Sequence, residues 1–133
     1  MFEARIRVIY GDTDQMGVVY HANYFRYFEV GRMELLRARG ANYRALERDG
    51  LMLPVVEGSA AYKAPARYDD LLLVRTQVSE VRRVSLAFTY EIRREGEPLK
   101  VLCTGRTVHA CMGREGKPVR LPDSLTRLLQ SPA

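Results

Sequence analysis

Two aspartates, two glycines and a histidine crowd into the stretch Tyr10-Gly11-Asp12-Thr13-Asp14-Gln15-Met16-Gly17-Val18-Val19-Tyr20-His21-Ala22-Asn23-Tyr24. The chain has only two histidines in all, so their placement carries information. This stretch lies between an alternating opening segment and a long amphipathic one, which sets carboxylates beside the start of a helix. Helix N-termini present unpaired N–H groups and a partial positive charge, suited to polarising a carbonyl or holding an oxyanion. An ionised aspartate nearby would attack such a carbonyl or activate water. Read without that chemistry, the same residues are turn formers, a capping aspartate and a surface or capping histidine.

The elements that must position these groups follow from periodicity. Phe2, Ala4, Ile6, Val8 and Tyr10 alternate with Glu3, Arg5 and Arg7, which predicts a half-buried first strand from Phe2 to Tyr10. From Gly11 to Val19 there is no sustained period, so a loop is expected, with glycines for unusual backbone angles. Between Ala22 and Arg39 the residues Tyr24, Tyr27, Phe28, Gly31, Leu35 and Ala38 form a helical stripe, closed by Gly40. Val30, Met33 and Leu36 lie off that stripe, so the helix needs a sheet or a partner chain around it. A short helical turn is expected within Asn42–Gly50, then strands over Leu53–Tyr62, Leu71–Val81, Leu86–Arg93 and Leu99–Met112, and a terminal helix over Pro122–Gln130. Short connections at Arg82-Arg83 and Glu95-Gly96-Glu97-Pro98 predict antiparallel hairpins. The result is an α+β domain over residues 1–133, five antiparallel strands curled around one long central helix.

The run Asp14-x-x-Gly17-Val18-Val19-Tyr20-His21-x-x-Tyr24 resembles the signature of the 4-hydroxybenzoyl-CoA and short-chain acyl-CoA thioesterase group of the hotdog superfamily. Phe28-Glu29, Arg32-x-Glu34 and Tyr62-x-x-Pro65-Ala66-x-x-Asp69-Asp70 extend the resemblance to about Met112. It implies a hotdog fold and hydrolysis of an acyl or aroyl thioester to a carboxylic acid and free CoA. It makes Asp14 the catalytic carboxylate, with Asp12 left as a turn former or hydrogen-bond partner. His21 would offer its main-chain N–H to the thioester carbonyl and its imidazole to catalysis. Tyr10 is implied as a functional tyrosine, against the plainer reading of a buried strand residue. Gly17, Tyr24, Glu57, Lys63 and Arg67 are the substrate-binding candidates. Each has a plain alternative: turn glycine, packing tyrosine, strand charge, solvated cations. Arg82, Arg83 and Arg106 are further candidates for the CoA phosphates.

Composition bounds the rest. The 133 residues are 47% hydrophobic, enough for one core, and carry a net charge of +5 that is mostly arginine. No apolar run approaches membrane-spanning length and the start has no exported-leader pattern, so a cytoplasmic protein without membrane insertion is expected. Cys103 and Cys111 are expected on one face of one strand, reduced and too far apart to bridge. His109 has no second ligand at metal spacing and reads as structural. Neither metal nor cofactor is expected beyond the CoA carried by the substrate. The positive charge is dispersed and no stacking motif is present, which argues against nucleic acid. A sheet wrapped on one helix leaves an edge strand and apolar surface, so a homodimer at minimum, and by resemblance a homotetramer, is expected. The competing functional readings are a non-catalytic acyl-CoA-binding module and a hotdog hydratase or dehydratase.

Overall fold

Apolar residues at every second position build four of the five strands, and the computed structural model, which describes residues 1–130, closes them into one antiparallel sheet. The elements are β1 (Phe2–Arg7), α1 (Asn23–Ala38), α2 (Tyr43–Arg48), β2 (Val55–Tyr62), β3 (Leu71–Val81), β4 (Ser85–Arg94), β5 (Glu97–Ala110) and α3 (Asp123–Gln130). Their order across the sheet is β1-β3-β4-β5-β2. The hairpins β3–β4 and β4–β5 form as expected, but β2 joins β5 at the far edge instead of its neighbour in sequence. Residues 131–133 of the expected domain lie outside the described residues.

The first strand ends earlier than its alternation suggests. Val8 is fully buried and exchanges main-chain hydrogen bonds with Asp69 and Asp70, so the chain has already left the β1–β3 ladder. Tyr10 then opens a single 3-10 turn with Gly11 and Asp12. The expectation of a strand tyrosine at position 10 is therefore corrected: its ring projects into solvent. Cys111 is likewise one residue past β5, although both cysteines are buried and free. Burial pushes the Cys103 thiol up to about 12, so it stays protonated and is no nucleophile.

The helix α1 lies against the concave face with Tyr24, Tyr27, Phe28, Gly31 and Leu35 inward, and Ala38 exposed at its end. Gly31 is what allows the approach to β3. A Cβ there would sit 2.8 Å from Val74 Cγ1 and closer still to Thr76 Oγ1. Gly105 does the same for β5, where a side chain would collide with the Phe28 ring. Phe28 stacks on Tyr90 with ring centroids 4.4 Å apart, which joins the helix to β4. Gly40 adopts φ +86° and ends α1, and the Asn42 side chain accepts from Ala45 N–H to start α2. The amphipathic α3 buries Leu125 and Leu129, and Arg39 donates to the Leu129 carbonyl at 2.5 Å.

His109, on the inner side of β5, is only 2% exposed. Its Nδ1 lies 2.9 Å from the Leu53 carbonyl, which can only accept, so Nδ1 carries the proton. Its Nε2 then accepts from Thr107 Oγ1 at 2.8 Å, and Thr107 accepts from the Tyr90 hydroxyl at 2.6 Å. Burial lowers the imidazole to about 4, opposed by the Leu53 hydrogen bond and assisted by the Arg32 charge. An unfolded histidine titrates near 6.5. Stability is therefore intact above about pH 6.5, falls as only the unfolded chain takes the proton, and levels below about pH 4. Urea unfolding at a series of pH values should show this loss, with a slope of at most about 1.4 kcal/mol per pH unit. His109→Gln keeps a donor and an acceptor, and its unfolding curves should lack that pH-dependent component.

Candidate active site

Between β1 and α1 the chain makes a tight hairpin whose two sides bridge at Thr13 and Val19. Inside it, Asp14 N–H donates to the Val18 carbonyl and Gly17 N–H donates to the Asp14 carbonyl, both at 2.9 Å. Gly17 takes φ +79° with open space around it, so glycine is required there by backbone angle and not by crowding. The Asp14 side chain accepts from Met16 N–H at 2.9 Å through Oδ1. Its second oxygen has no hydrogen-bond partner among the described residues.

Asp12 does something different. It is 5% exposed, and its carboxylate accepts from the Tyr27 hydroxyl at 2.8 Å and from the Arg26 guanidinium. Its main-chain carbonyl accepts from Tyr20 N–H at 2.9 Å and from the Asn23 side chain at 2.8 Å. One residue thus ties the hairpin to the first turns of α1. Burial and the Asp12 carboxylate both raise the Tyr27 hydroxyl's pKa, so it remains a donor. Asp12 is a structural anchor, as the plainer sequence reading has it.

The start of α1 has no side-chain cap: Asn23 N–H donates to the Tyr20 carbonyl at 2.9 Å and Tyr24 N–H to the His21 carbonyl at 3.3 Å. Its N-cap is Ala22, which has no side chain to cap with, and the first turn holds no acid. The His21 amide has no hydrogen-bond partner among the described residues. Beside it is a concavity of about 260 Å³ lined by Val18, Val19, His21, Tyr24, Tyr62, Lys63, Ala64 and Pro65. The second wall is fastened to the hairpin by Val19 N–H donating to the Ala66 carbonyl at 2.8 Å. The His21 ring lies against Tyr20, with centroids 4.5 Å apart, and edge-on to Tyr62 at 6.0 Å. Burial pushes the Tyr24 hydroxyl up, against the opposing main chain of Ala66, so it stays a hydrogen-bond donor at the pocket floor.

The structure therefore brings His21, Tyr24 and Lys63 to one concavity, with Gly17 shaping the turn behind it. Asp14 does not line that space, and adjoins it through the Val18 carbonyl that receives its amide. Arg67 lies just past the lining residues, its main-chain N–H held by Asp70 at 2.8 Å. Glu57 stands exposed on β2 and reaches no part of the pocket in its own chain. Arg82 and Arg106 are paired with Glu80 instead of standing ready for phosphate, and Arg83 is exposed in the β3–β4 turn. Tyr62, which the sequence marks through the Tyr62-x-x-Pro65-Ala66 run and not as a substrate-binding candidate, walls the pocket. Among the described residues there is no group of three or more histidine, cysteine or acidic side chains placed to hold a metal, and no helix long and apolar enough to cross a membrane.

Comparison with known proteins gives consistent results. Residues 8–129 match the pattern of the thioesterase-like superfamily. A putative esterase of Aquifex aeolicus is 35% identical over 97% of this chain and 98% of its own. The acyl-CoA thioester hydrolase YbgC of Escherichia coli O157:H7 is 40% identical over 69% of each chain. Among solved structures, the DHNA-CoA thioesterase of Staphylococcus aureus superposes with a TM-score of 0.85 at 33% identity, covering 90% of this chain and 79% of that one.

The Asp12 anchor gives a direct test. Asp12→Ala leaves the buried Tyr27 hydroxyl without its acceptor and should cost about 1–3 kcal/mol in urea unfolding. Adding Tyr27→Phe removes the stranded donor, and the double variant should recover part of that loss.

Proposed function

The chain belongs to the thioesterase-like superfamily, and from that membership we propose that it is an acyl-CoA thioesterase acting on short-chain acyl or aroyl thioesters. The observation that carries the reading is the free His21 amide, two residues ahead of α1, which adjoins a small pocket beside the Asp14 turn. The names of the relatives, an acyl-CoA thioester hydrolase and a DHNA-CoA thioesterase, support the substrate class. The pocket is small and its walls are aromatic and aliphatic, which suits a compact acyl group over a long chain.

In this mechanism the thioester oxygen accepts from His21 N–H, and the positive end of α1 stabilises the charge that develops on it. Asp14 acts through its unpaired oxygen in one of two ways. As nucleophile it forms an acyl-aspartyl anhydride while the carbon–sulfur bond breaks, and water then cleaves the anhydride. As general base it takes a proton from the water that attacks the same carbon. Both routes add one water across the thioester and release a carboxylic acid and the CoA thiol. Oxygen-18 appearing in Asp14 after a single turnover in labelled water distinguishes the first from the second.

A second copy of the chain completes this proposal. The edge strand β2 is exposed along nearly its whole length, with Val56 61% exposed and Phe25 of α1 beside Gly58. An unpaired, apolar edge is a template for another strand. Pairing through β2 gives at least a dimer, and sedimentation should find that Val56→Lys shifts the mass toward monomer.

The catalytic claim rests on thiol release from a panel of acyl-CoA substrates. Asp14→Asn keeps an oxygen for Met16 N–H, so its unfolding midpoint should shift by no more than about 0.5 kcal/mol. Its kcat should fall by about 10²-fold or more. Equal rates in the two proteins would remove the carboxylate from the mechanism.

A further inference from the structure

Tyr10 and Tyr68 form a nearly parallel ring stack on the outside of the molecule. Their centroids are 3.8 Å apart and their planes differ by 7°. Tyr10 is 73% exposed and Tyr68 46%. Aromatic rings usually gain by burial, and a parallel pair held in water leaves one broad face open for a third ring. Both partners are fixed at the backbone. Thr13 donates to the Tyr10 carbonyl from its N–H at 3.0 Å and from its hydroxyl at 2.8 Å. The loop carrying Tyr68 is clipped to the same segment by Asp69 N–H to the Val8 carbonyl and Val8 N–H to the Asp70 carbonyl, at 3.0 and 2.9 Å.

The same loop leads back to the pocket. Lys63 and Pro65 line the concavity at His21, and Arg67 and Tyr68 follow directly in sequence. Tyr68 is three residues from Pro65, at most about 11 Å of chain. Neither the Lys63 ammonium nor the Arg67 guanidinium has a partner among the described residues, whereas Arg94, which reaches this loop from the end of β4, is paired with Asp70 and Glu97. From the pocket outward the surface therefore offers a carbonyl site, two unpaired cations and a flat aromatic plane. CoA carries its groups in the matching order: thioester, flexible arm, phosphates, adenine.

We infer that the Tyr10–Tyr68 stack seats the adenine base of the CoA substrate, with Arg67 meeting its phosphates. The inference rests on the thioesterase reading and reassigns Tyr10 from the reacting centre to the far end of the substrate. Stacking on a base requires the ring plane and not the hydroxyl.

The test compares one acyl group carried on CoA and on pantetheine, which lacks the nucleotide. In wild type the nucleotide should lower KM. In Tyr68→Ala and Tyr10→Ala the ratio of KM for acyl-CoA to KM for acyl-pantetheine should rise about tenfold, a typical value for loss of one base–aromatic stack. Tyr10→Phe should behave as wild type. Adenosine 3′,5′-bisphosphate should compete with acyl-CoA on wild type and lose about tenfold in affinity on Tyr10→Ala. The proposal is overturned if both substrates lose equally, if Tyr10→Phe loses as much as Tyr10→Ala, or if the ratio does not change. It is also overturned if the alanine variants change the oligomeric mass, which would make the ring pair a contact between copies. Should wild type release thiol from neither substrate, the thioesterase reading fails by itself. Calorimetric binding of adenosine 3′,5′-bisphosphate to wild type and Tyr10→Ala then still decides the base site.

Discussion

A single buried carboxylate, that of Asp12, holds the hairpin loop to the start of α1. It meets Tyr27 and Arg26 with its side chain while its main-chain carbonyl receives Tyr20 N–H and the Asn23 side chain. Burying a charge away from water is costly unless it is fully partnered, and here a cation and a hydroxyl supply the partners. The consequence is geometric. The residues from 13 to 22 are confined between an anchor at one end and the first turns of α1 at the other, so Asp14 and the His21 amide cannot drift apart independently. The neighbouring acids of Asp12-Thr13-Asp14 thus divide the work, one spent on position and the other left with a free oxygen.

The anchor is useful only because α1 is itself immobile against the sheet. Gly31 and Gly105 remove the side chains that would hold the helix off, and Phe28 fills the resulting contact by stacking on Tyr90. Close packing of this kind tolerates little volume change in either direction. The Tyr90–Thr107–His109 chain of hydrogen bonds continues the contact across β4 and β5 to the Leu53 carbonyl, just before the exposed edge β2. The polar groups of that chain are therefore satisfied inside the core.

Much of this was legible in the sequence because it depends on period and residue type. The alternation through Leu86, Phe88, Tyr90 and Ile92 gave β4, and the stripe from Tyr24 to Leu35 gave α1 with its glycine stop. What was not legible depends on contacts distant in sequence. Nothing local says that β2 pairs with β5 across the sheet, or that Val8 leaves its strand to bond Asp69 and Asp70. Tyr10 continues the alternation and so reads as strand, yet the ladder has ended three residues earlier and the ring turns outward onto Tyr68. The candidate site followed the same division. His21, Tyr24 and Lys63 share the pocket, while Asp14 borders it through Val18, a relation that only the hairpin hydrogen bonds disclose.

The missing cap on α1 is the clearest case of local stability left unused. A serine, threonine or aspartate at an N-cap typically adds about 1 kcal/mol to a helix by accepting from its second or third amide. Alanine stands there instead, and no acid occupies the first turn. An acid at that terminus would have partly neutralised the positive end of the helix. A carbonyl arriving beside His21 would then meet a weaker field. Leaving the terminus without an acid keeps the helix dipole uncompensated at the edge of the pocket, where a negative charge would gain most from it. That trade is reasonable only where the rest of the structure holds the terminus still, and the Asp12 anchor on one side and the Val19–Ala66 hydrogen bond on the other meet that condition.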